Sequence, residues 1–388
     1  MINQFGFVSE ETFSEKMDTQ NRFLAALVTA QGGALKPTSW AEIQALVRAG
    51  LHKNVFAIGD QLVCQKGSSN ITWDIIGIDH DTPTDSQFTH SMTLQLHDCL
   101  PSAMLFDALE ALYYAENGLV AGTYNFTIQS GYDTAYGGGK TYQFTLENDV
   151  PAGGQLTFGW SNNTQAANAK VSSYANSTST TAIEQVTVIE GSAGTNLGTT
   201  DGNSTNVNHI HRIRYGSNNY GESAIRQFLN SNVVAGSVWT PQTKYDRPPS
   251  WNASMAGFMK DIDSDFLAVI GKTRKVTALN TVTDGGGSVT LDDKFFLLSR
   301  SEVYGSLEND IDEGSPYPYY SNYSDLSAAG TGGDSNRIKY RSGTAQTWWL
   351  RSPYSASGFY VRTVYTSGIV YYLNANHDYG VAPACNII

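Results

Sequence analysis

The chain has 388 residues, 40% of them hydrophobic, which is enough for two or three domains or for one domain with a large insertion. Its formal net charge of -12 argues against a nucleic-acid backbone or an anionic membrane surface as partner, because both need clustered Lys and Arg. Three cysteines without a CxxC spacing indicate neither a disulfide framework nor a zinc site. No apolar stretch approaches the roughly 20 residues of a membrane span, and the first residues do not read as a secretion signal, so we expect cytoplasmic synthesis without membrane insertion.

The first part of the chain predicts an attachment segment followed by a compact α+β region. Residues 1–34 have a helical apolar pattern that ends at a Gly-Gly pair, so we expect an attachment or oligomerisation segment, although packing within the chain fits equally well. Residues 39–50 predict a helix with Ser39 as N-cap, Glu42 at the capping-box position and Gly50 as stop. The runs at 55–65, 71–79 and 92–99 predict strands, and 101–114 predicts a helix.

The middle of the chain changes character. Residues 117–200 alternate apolar and polar side chains between Gly, Asn and Ser turns, which predicts a β-rich insertion of sandwich type, and 194–208 predicts a flexible return linker. An α+β pattern then resumes. It consists of predicted helices at 222–231, 255–271 and 299–306, strands at 273–279 and 293–299, a polar loop at 314–336, and C-terminal strands at 348–352, 359–365 and 368–376.

The most informative segment is 352–379, which is rich in Tyr, Ser, Asn, Thr and Gly and contains no Lys, Glu, Gln, Met or Trp. Tyr supplies rigid contact area, and Ser, Gly and Asn supply adaptable hydrogen bonds, which is the composition of an antibody-like binding surface. The five absent types are also those that cannot arise when both adenines of an Asn codon with a fixed pyrimidine ending are randomised. The composition favours a diversified binding surface, and a Tyr-rich β-sheet without a binding role stays open.

A binding surface that tolerates substitution needs a frame that takes no part in recognition. Neighbouring strand residues point to opposite faces, so at least one of Trp348 and Trp349 should be buried deeply, and one of Tyr371 and Tyr372 should face inward. Arg351 is expected to bond to backbone carbonyls inside the frame. The predicted recognition residues are Tyr354, Ser355, Ser357, Phe359, Tyr360, Tyr365, Tyr371, Tyr372, Asn374, Asn376, His377, Asp378 and Tyr379.

Four segments together resemble a known pattern: YGSNNYGESAIRQFLNS at 215–231, DKFFLLSRSEVYG at 293–305, TWWLRSPY at 347–354 and GVAPACNI at 380–387. They are similar to an uncharacterised domain family of bacteriophages and gut bacteria with the C-type-lectin fold. They also resemble the tropism-determinant-like variable proteins of diversity-generating retroelements. The resemblance covers most of 35–116 and 205–388. One departure is Ala382, which stands where relatives carry an Arg expected to brace the fold from inside.

The resemblance implies an α+β chain with a C-type-lectin-like domain at 35–116 and 201–388 that carries the β-rich insertion at 117–200. It also implies a retroelement that mutates adenines within 352–379, so that varied side chains face outward from a constant scaffold. The expected function is binding to a bacterial cell-surface protein or glycan, by a homo-oligomer for which a trimer is the commonest geometry. A phage tail or other part of the virion is the expected location, and a bacterial cell surface is the alternative.

Two other functions stay open. One is a structural virion or surface protein without diversified binding. The other is an enzyme of the formylglycine-generating type, whose chemistry depends on a cysteine pair that the spacing of Cys64, Cys99 and Cys385 does not indicate. DHD at 79–81 and HIH at 209–211 are the only local clusters with metal-ligand residues, and we expect both in or beside strands, without a metal. We predict no catalytic residue and no cofactor.

Overall fold

The computed structural model describes residues 37–128, 139–161, 164–173, 181–199, 209–320 and 335–388. Strands make up 36% of the structure and helices 13%, and a sheet curls into a half-barrel. The expected α+β, C-type-lectin-like fold is therefore wrong, because the architecture is largely β-strand and the helices are short. The predicted attachment segment at 1–34 lies outside the described residues, as do most of the predicted linker and much of the loop at 314–336.

The helices form where the sequence places strong local caps. The side chain of Ser39 accepts from the Glu42 N–H at 3.3 Å, and Ser299 and Glu302 form a reciprocal capping box. These caps confirm the helices predicted near 39–50 and 299–306, and the one at 222–231 is also present. None of the described helices is long and apolar enough to cross a membrane. The helices are α1 Trp40–Arg48, α2 His209–Tyr215, α3 Ala224–Leu229, α4 Ser264–Val269 and α5 Arg300–Tyr304.

In the described residues, twenty-three strands alternate with these helices and with turns. In chain order they are β1 Gln61–Lys66, β2 Ser69–Ile78, β3 Met92–Leu96, β4 Met104–Leu105, β5 Tyr113–Ala115, β6 Gly122–Thr127, β7 Thr141–Leu146, β8 Gly154–Ser161, β9 Thr164–Ser173, β10 Thr181–Thr187, β11 Ile189–Glu190, β12 Thr195–Thr199, β13 Ile270–Gly271, β14 Thr273–Ala278, β15 Ser288–Asp293, β16 Phe295–Phe296, β17 Lys339–Arg341, β18 Thr344–Gln346, β19 Trp348–Pro353, β20 Tyr360–Val364, β21 Val370–Asn374, β22 Asp378–Tyr379 and β23 Ala384–Ile387.

Two predicted helices are wrong, and long-range backbone hydrogen bonds explain why. In the segment 101–114, the N–H groups of Ala111 and Leu112 donate to the carbonyls of Tyr245 and Leu156 at 2.7 and 2.8 Å. A backbone donor with a distant partner cannot also bond to the carbonyl four residues earlier, as a helix requires. The segment forms the short strands β4 and β5 instead.

In the same way, only the end of the segment 255–271 is helical. The Gly257 N–H donates to Val233 O at 3.0 Å, and the Phe258 N–H donates to Phe228 O at 2.9 Å. These bonds hold the first part of the segment in turns, and the helix α4 begins only at Ser264.

The largest sheet runs in the order β1-β2-β3-β23-β13, with β16 also paired to β23. Its core contains Trp73, which is fully buried with Phe258, Phe266 and Phe295 within 6.5 Å between ring centroids. Because the C-terminal strand β23 sits between β3 and β13, the last residues of the chain are tied into the main core. This arrangement fixes the C-terminal end of the region that follows β18.

Two four-stranded sheets, β10-β9-β8-β5 and β11-β7-β6-β12, form the region between residues 113 and 199. They share one hydrophobic cluster, in which Phe126 stacks on Tyr142 at 5.9 Å. Strand β12 returns parallel to β6, and Gly194 allows the approach, because a Cβ there would lie 2.0 Å from the Thr123 carbonyl oxygen.

Candidate ligand-binding surface

Most of the Tyr-rich C-terminal segment forms the antiparallel sheet β19-β20-β21 and the loops beside it. The β20–β21 hairpin turns through residues 366–368, where Gly368 has a φ of 81°, a left-handed conformation that suits glycine in a three-residue hairpin loop. The register places Tyr360 opposite Asn374 and Arg362 opposite Tyr372. Side chains of β20 and β21 that share a face are therefore brought together in pairs.

Strand β19 anchors this sheet through two adjacent tryptophans. Trp348 and Trp349 are both fully buried and belong to different hydrophobic clusters. Each indole N–H has a partner, since Trp348 donates to Arg337 O at 2.9 Å and Trp349 to Met104 O at 2.8 Å. The prediction of deep burial on opposite faces is confirmed.

Arg351 braces the frame from inside, as predicted. Its guanidinium is fully buried and donates to Leu297 O at 2.9 Å and Glu313 O at 2.6 Å. It also pairs with the Glu302 carboxylate at 2.5 Å. Burial opposes ionisation of Glu302, but Arg351 and Lys275 hold its pKa below the ordinary value, so the acid stays charged in the core.

Aromatic side chains of this region, most of them accessible to solvent, build a continuous array. Tyr354 stacks on Tyr372 with centroids 4.5 Å apart and planes within 6°. Tyr371 lies parallel to Tyr372 at 5.3 Å, and Tyr360 packs against Tyr372 at 4.9 Å. The contacts run from Tyr215 through Phe359 and Tyr360 to Tyr372, where they branch to Tyr354 and, through Tyr371, to Tyr365, with centroid distances of 4.1 to 5.9 Å. We call these seven residues the aromatic array.

Arginines lie over the array at two places. The Arg362 guanidinium is 4.6 Å from the Tyr354 ring centroid, and Arg214 is 4.9 Å from that of Tyr215. Arg362 is held by Glu308, with Nε 2.7 Å from a carboxylate oxygen. Burial raises the pKa of Glu308, but the hydrogen bonds and charge of Arg362, the Ser355 N–H and the charge of Arg300 together outweigh it and leave the pKa below its ordinary value.

The thirteen predicted recognition residues differ in accessibility, and most of them reach the surface. Tyr365, Tyr371, His377 and Asp378 are exposed, and Tyr365 and Tyr371 retain 44% and 46% of their accessible area. Half-buried are Tyr354, Ser355, Tyr360, Tyr372, Asn374, Asn376 and Tyr379. Only Ser357 and Phe359 are buried.

Two expectations about these residues need correction. Ser357 and Phe359 offer almost no surface to a ligand: the Ser357 hydroxyl accepts the Phe359 N–H at 3.2 Å, and the Phe359 ring stacks on Tyr215 at 4.9 Å. Neither Tyr371 nor Tyr372 faces inward, although they are neighbours. Strand β21 lies at the edge of its sheet, so both rings can lean to the same side and stack.

The backbone of the loop 354–360 is held by residues outside the C-terminal segment. The Asn218 side-chain amide donates to Ser357 O at 2.6 Å and to Tyr360 O at 2.8 Å. The Thr281 N–H and hydroxyl both donate to Ser355 O, at 2.9 and 3.0 Å. All these acceptors are main-chain oxygens, so these bonds do not depend on which accessible side chains the loop carries.

The loop after β21 is held in the same manner. The N–H groups of Phe106 and Asp107 both donate to Ala375 O, at 2.8 and 3.1 Å, and the Asn376 N–H donates to Tyr215 O at 2.8 Å. These bonds also use main-chain atoms of the C-terminal segment. Both loops that display the recognition residues are thus fixed by contacts that survive side-chain replacement.

Beneath the loop 354–360 lies a buried polar network that sequence reasoning missed. Arg212 pairs with Glu110 at 2.7 Å and with Asp284 at 3.1 Å, and Asn280 donates to Asp284 and to Asn218 at 2.7 and 2.8 Å. Burial would lower the pKa of Arg212, but Glu110 and Asp284 raise it, so the cation is retained. The only signal in the sequence is the Asn pair within YGSNNYGES, which carries no indication of its partners.

The histidine clusters do not assemble a metal-ligand set. Across the residues that the structure covers, no three His, Cys, Asp or Glu side chains are placed to hold a metal ion. Asp79 has a carboxylate oxygen 3.2 Å from His52 and 3.0 Å from His90, and Asp81 pairs with Lys275 at 2.5 Å. The HIH residues lie in the helix α2, not in or beside a strand as expected.

The three cysteines are free and buried. Burial raises the pKa of Cys64 to about 11 and that of Cys99 to about 12, and it raises the pKa of Cys385 as well. A thiolate is the nucleophilic form of cysteine, and these surroundings disfavour it.

Comparison with known proteins identifies a family for the C-terminal part of the chain. No curated protein matches the chain, and no solved structure matches it. Residues 186–388 match the family model described as a domain of unknown function, DUF6273. The match covers more than half of the chain and includes the whole aromatic array together with Asn218 and Thr281 from its frame. The chain belongs to the DUF6273 family.

Proposed function

We propose that this chain is a ligand-binding protein whose C-terminal surface can be diversified without loss of the fold. The proposal rests on the different roles of main-chain and side-chain atoms within 352–379, in the two display loops, which are the loop 354–360 and the loop after β21. Backbone atoms of both display loops are bonded to residues outside the segment, whereas eleven of the thirteen recognition side chains reach solvent. Substitution of the accessible side chains leaves those backbone bonds in place.

The energetics favour this reading. A buried Trp such as Trp349 contributes about 3–5 kcal/mol to folding, measured by truncation to Ala. An aromatic pair at the surface contributes about 1 kcal/mol beyond its buried area. Loss of one or two array rings is therefore tolerable, while loss of a frame residue is not.

The surface chemistry suits recognition by contact. Tyr354, Tyr365, Tyr371 and Tyr372 have hydroxyls that make no hydrogen bond to other described residues, so they remain available to a ligand. Tyr rings with such hydroxyls supply hot-spot area with little conformational entropy to lose. The absence of Lys, Glu, Gln, Met and Trp from 352–379 supports adenine-specific mutagenesis by a retroelement as the source of variation.

The proposed context is a phage tail or another receptor-binding structure of a virion, and a bacterial cell surface is the second candidate. The ligand would be a protein or glycan of a bacterial cell surface. A homo-oligomer, for example a trimer, would raise avidity by linking several modest sites.

Two competing functions make different demands on the molecule. A purely structural role would require the aromatic array to pack against a neighbour in every assembly. An oxidase of the formylglycine-generating type needs reactive thiols, and the buried Cys64, Cys99 and Cys385 have pKa values raised above the ordinary range. We therefore propose binding rather than catalysis.

A pair of display libraries tests the proposal. The first randomises accessible positions, namely Tyr354, Tyr360, Tyr365, Tyr371 and Asn374. The second randomises the same number of buried positions in the same strands, namely Trp349, Val361, Thr363, Val364 and Ala375. We expect most members of the first library to resist proteolysis like the parent and most members of the second to be degraded.

The first library should also yield binders to several unrelated bacterial surface proteins. Equal losses of folded members from the two libraries would contradict the separation of frame and surface. Failure to recover any binder would contradict the binding role.

Sequencing of the locus from one natural population tests the diversification itself. Substitutions should fall at adenine-containing codons within 352–379, beside a near-copy of the 3′ end and a reverse transcriptase gene. Substitutions scattered evenly over the whole gene would contradict diversification, and the proposal would reduce to a binding protein with a constant surface.

A further inference from the structure

The aromatic array has three ends, and two of them are covered by a guanidinium. Arg214 lies 4.9 Å from the centroid of Tyr215, and Arg362 lies 4.6 Å from that of Tyr354. Between these ends every ring contacts the next one, in a stacked or a tilted arrangement. The electron-rich faces of Tyr rings attract cations, so arginines are suitable terminal groups for such an array.

The third end of the array is open. Tyr371 stacks on Tyr372 with one face and meets Tyr365 at 5.9 Å, and Tyr365 and Tyr371 are 44% and 46% exposed. No Lys or Arg of the described ranges lies over either ring. At this end the tyrosine rings are exposed to solvent, whereas at the other two ends an arginine covers a ring of the same kind.

The charges around the array also favour a cation. Arg362 and Arg300 both pair with Glu308, which leaves this group with one net positive charge. Asp310 and Asp312, in and just after the turn that follows Glu308, are exposed and form no ion pair with a described residue.

Asp378, in the short strand β22 after the second display loop, is exposed and likewise without an ion pair among the residues that the structure describes. Three aspartates stand against the one net positive charge of the Arg300–Glu308–Arg362 group and the positive charge of Arg214, so the surround is still negative, in line with the net charge of -12 for the whole chain. Asp310 and Asp312 lie outside 352–379, so part of this charge would stay constant while the segment varies.

We propose that the Tyr365–Tyr371 end of the array binds the guanidinium of an arginine on a partner polypeptide. The inference rests on the proposed binding function and names the partner class for this surface. Arginine fits better than lysine, because its planar group stacks on an aromatic ring and is less strongly hydrated. Asp310, Asp312 and Asp378 would attract a basic segment over a longer range and speed its association.

Selection of random linear peptides against the full chain provides the probe. We expect the selected peptides to be basic and to contain at least one essential arginine. Replacement of that arginine by citrulline, which keeps the shape and removes the charge, should weaken binding at least fivefold, as expected for a cation–π contact with some desolvation. Binding should also weaken as salt is raised.

Matched variants of the chain locate the contact. Tyr371→Phe keeps the aromatic face and should retain most of the affinity, whereas Tyr371→Leu keeps apolar bulk and should lose about fivefold. Both variants should fold, since Tyr371 is half exposed and at a sheet edge. The double change Asp310→Asn with Asp312→Asn should slow association and reduce its salt dependence.

The outcomes separate this inference from the proposed function. Peptides that bind without arginine, or equally well with citrulline, or equally well to the Phe and Leu variants, would overturn the inference. If such peptides still lost affinity on Tyr354→Ala or Tyr360→Ala, the binding function would stand. Peptides indifferent to every array substitution would count against both, and failure to select any peptide would overturn a polypeptide partner.

Discussion

Replacement of Asn218 by Ala is the sharpest test of the frame that holds the Tyr-rich loop. The Asn218 side chain is fully buried, and its amide donates to Ser357 O at 2.6 Å and Tyr360 O at 2.8 Å. Its oxygen accepts from the Asn280 amide at 2.8 Å. The substitution removes these three bonds, together with a longer contact of 3.5 Å to Tyr354 O, and leaves their partners in place.

The expected loss of stability follows from this geometry. Three hydrogen bonds at a net contribution of about 1 kcal/mol each amount to about 3 kcal/mol. The carbonyl of Ser357 is left without this donor in a buried position, which adds about 1–2 kcal/mol. We expect Asn218→Ala to lower the free energy of unfolding by about 4–5 kcal/mol.

Urea unfolding followed by tryptophan fluorescence measures this loss, and Asn374→Ala is the matched control. Asn374 belongs to the same surface and is half-buried, but its side chain forms no hydrogen bond with a described residue. Its substitution should change stability by less than about 0.5 kcal/mol. Similar losses for both variants, or a loss below about 1 kcal/mol for Asn218→Ala, would refute the frame as we describe it.

Three further substitutions probe the core and the surface. Burial raises the pKa of Glu313 to about 7, against the opposing effect of Arg351, so the folded state holds this proton more tightly than the unfolded state. The free energy of unfolding should therefore fall as pH rises from about 4.5 to 7. Glu313→Gln cannot ionise, so its stability relative to the parent should rise by about 3 kcal/mol over the same pH range. Urea titrations at several pH values measure the difference. Arg351→Met leaves Lys275 as the only cationic partner of Glu302 among the described residues, and it should cost about 3–5 kcal/mol by the same assay. A loss under about 1 kcal/mol would contradict the bracing role of Arg351. Tyr365→Ser should change the melting temperature by no more than a few degrees, and a collapse of the fold would show that this exposed ring is structural.

What the sequence could predict depended on how local the determining contacts are. The helix α1 is specified by two residues that lie within a few positions of it. The Ser39 side chain caps its N-terminus, and Gly50 has the left-handed φ of 67° that ends it, both as expected. The two-residue period of a strand predicted that at least one of Trp348 and Trp349 is deeply buried, and the structure buries both. The role of Arg351 followed from its place on a strand between buried residues.

The errors have the opposite origin. Residues 101–114 carry a helical apolar pattern, but their backbone donors bond to Tyr245 and Leu156, far away in the sequence. The role of Asn218 depends on carbonyls 139 and 142 residues further along the chain. No local pattern encodes such a distance, and the α+β assignment failed because it counted helices that these long-range bonds prevent.

Trp348 and Trp349 have a consequence for how variants fail. Since β19 is a common wall of two hydrophobic clusters, its release would open both interiors at once. We expect the sheet β19-β20-β21 to unfold together with the rest of the protein in one cooperative transition, and not separately. A variant with a disrupted frame would then unfold globally and become a substrate for proteases, instead of persisting with a folded body and a disordered aromatic surface.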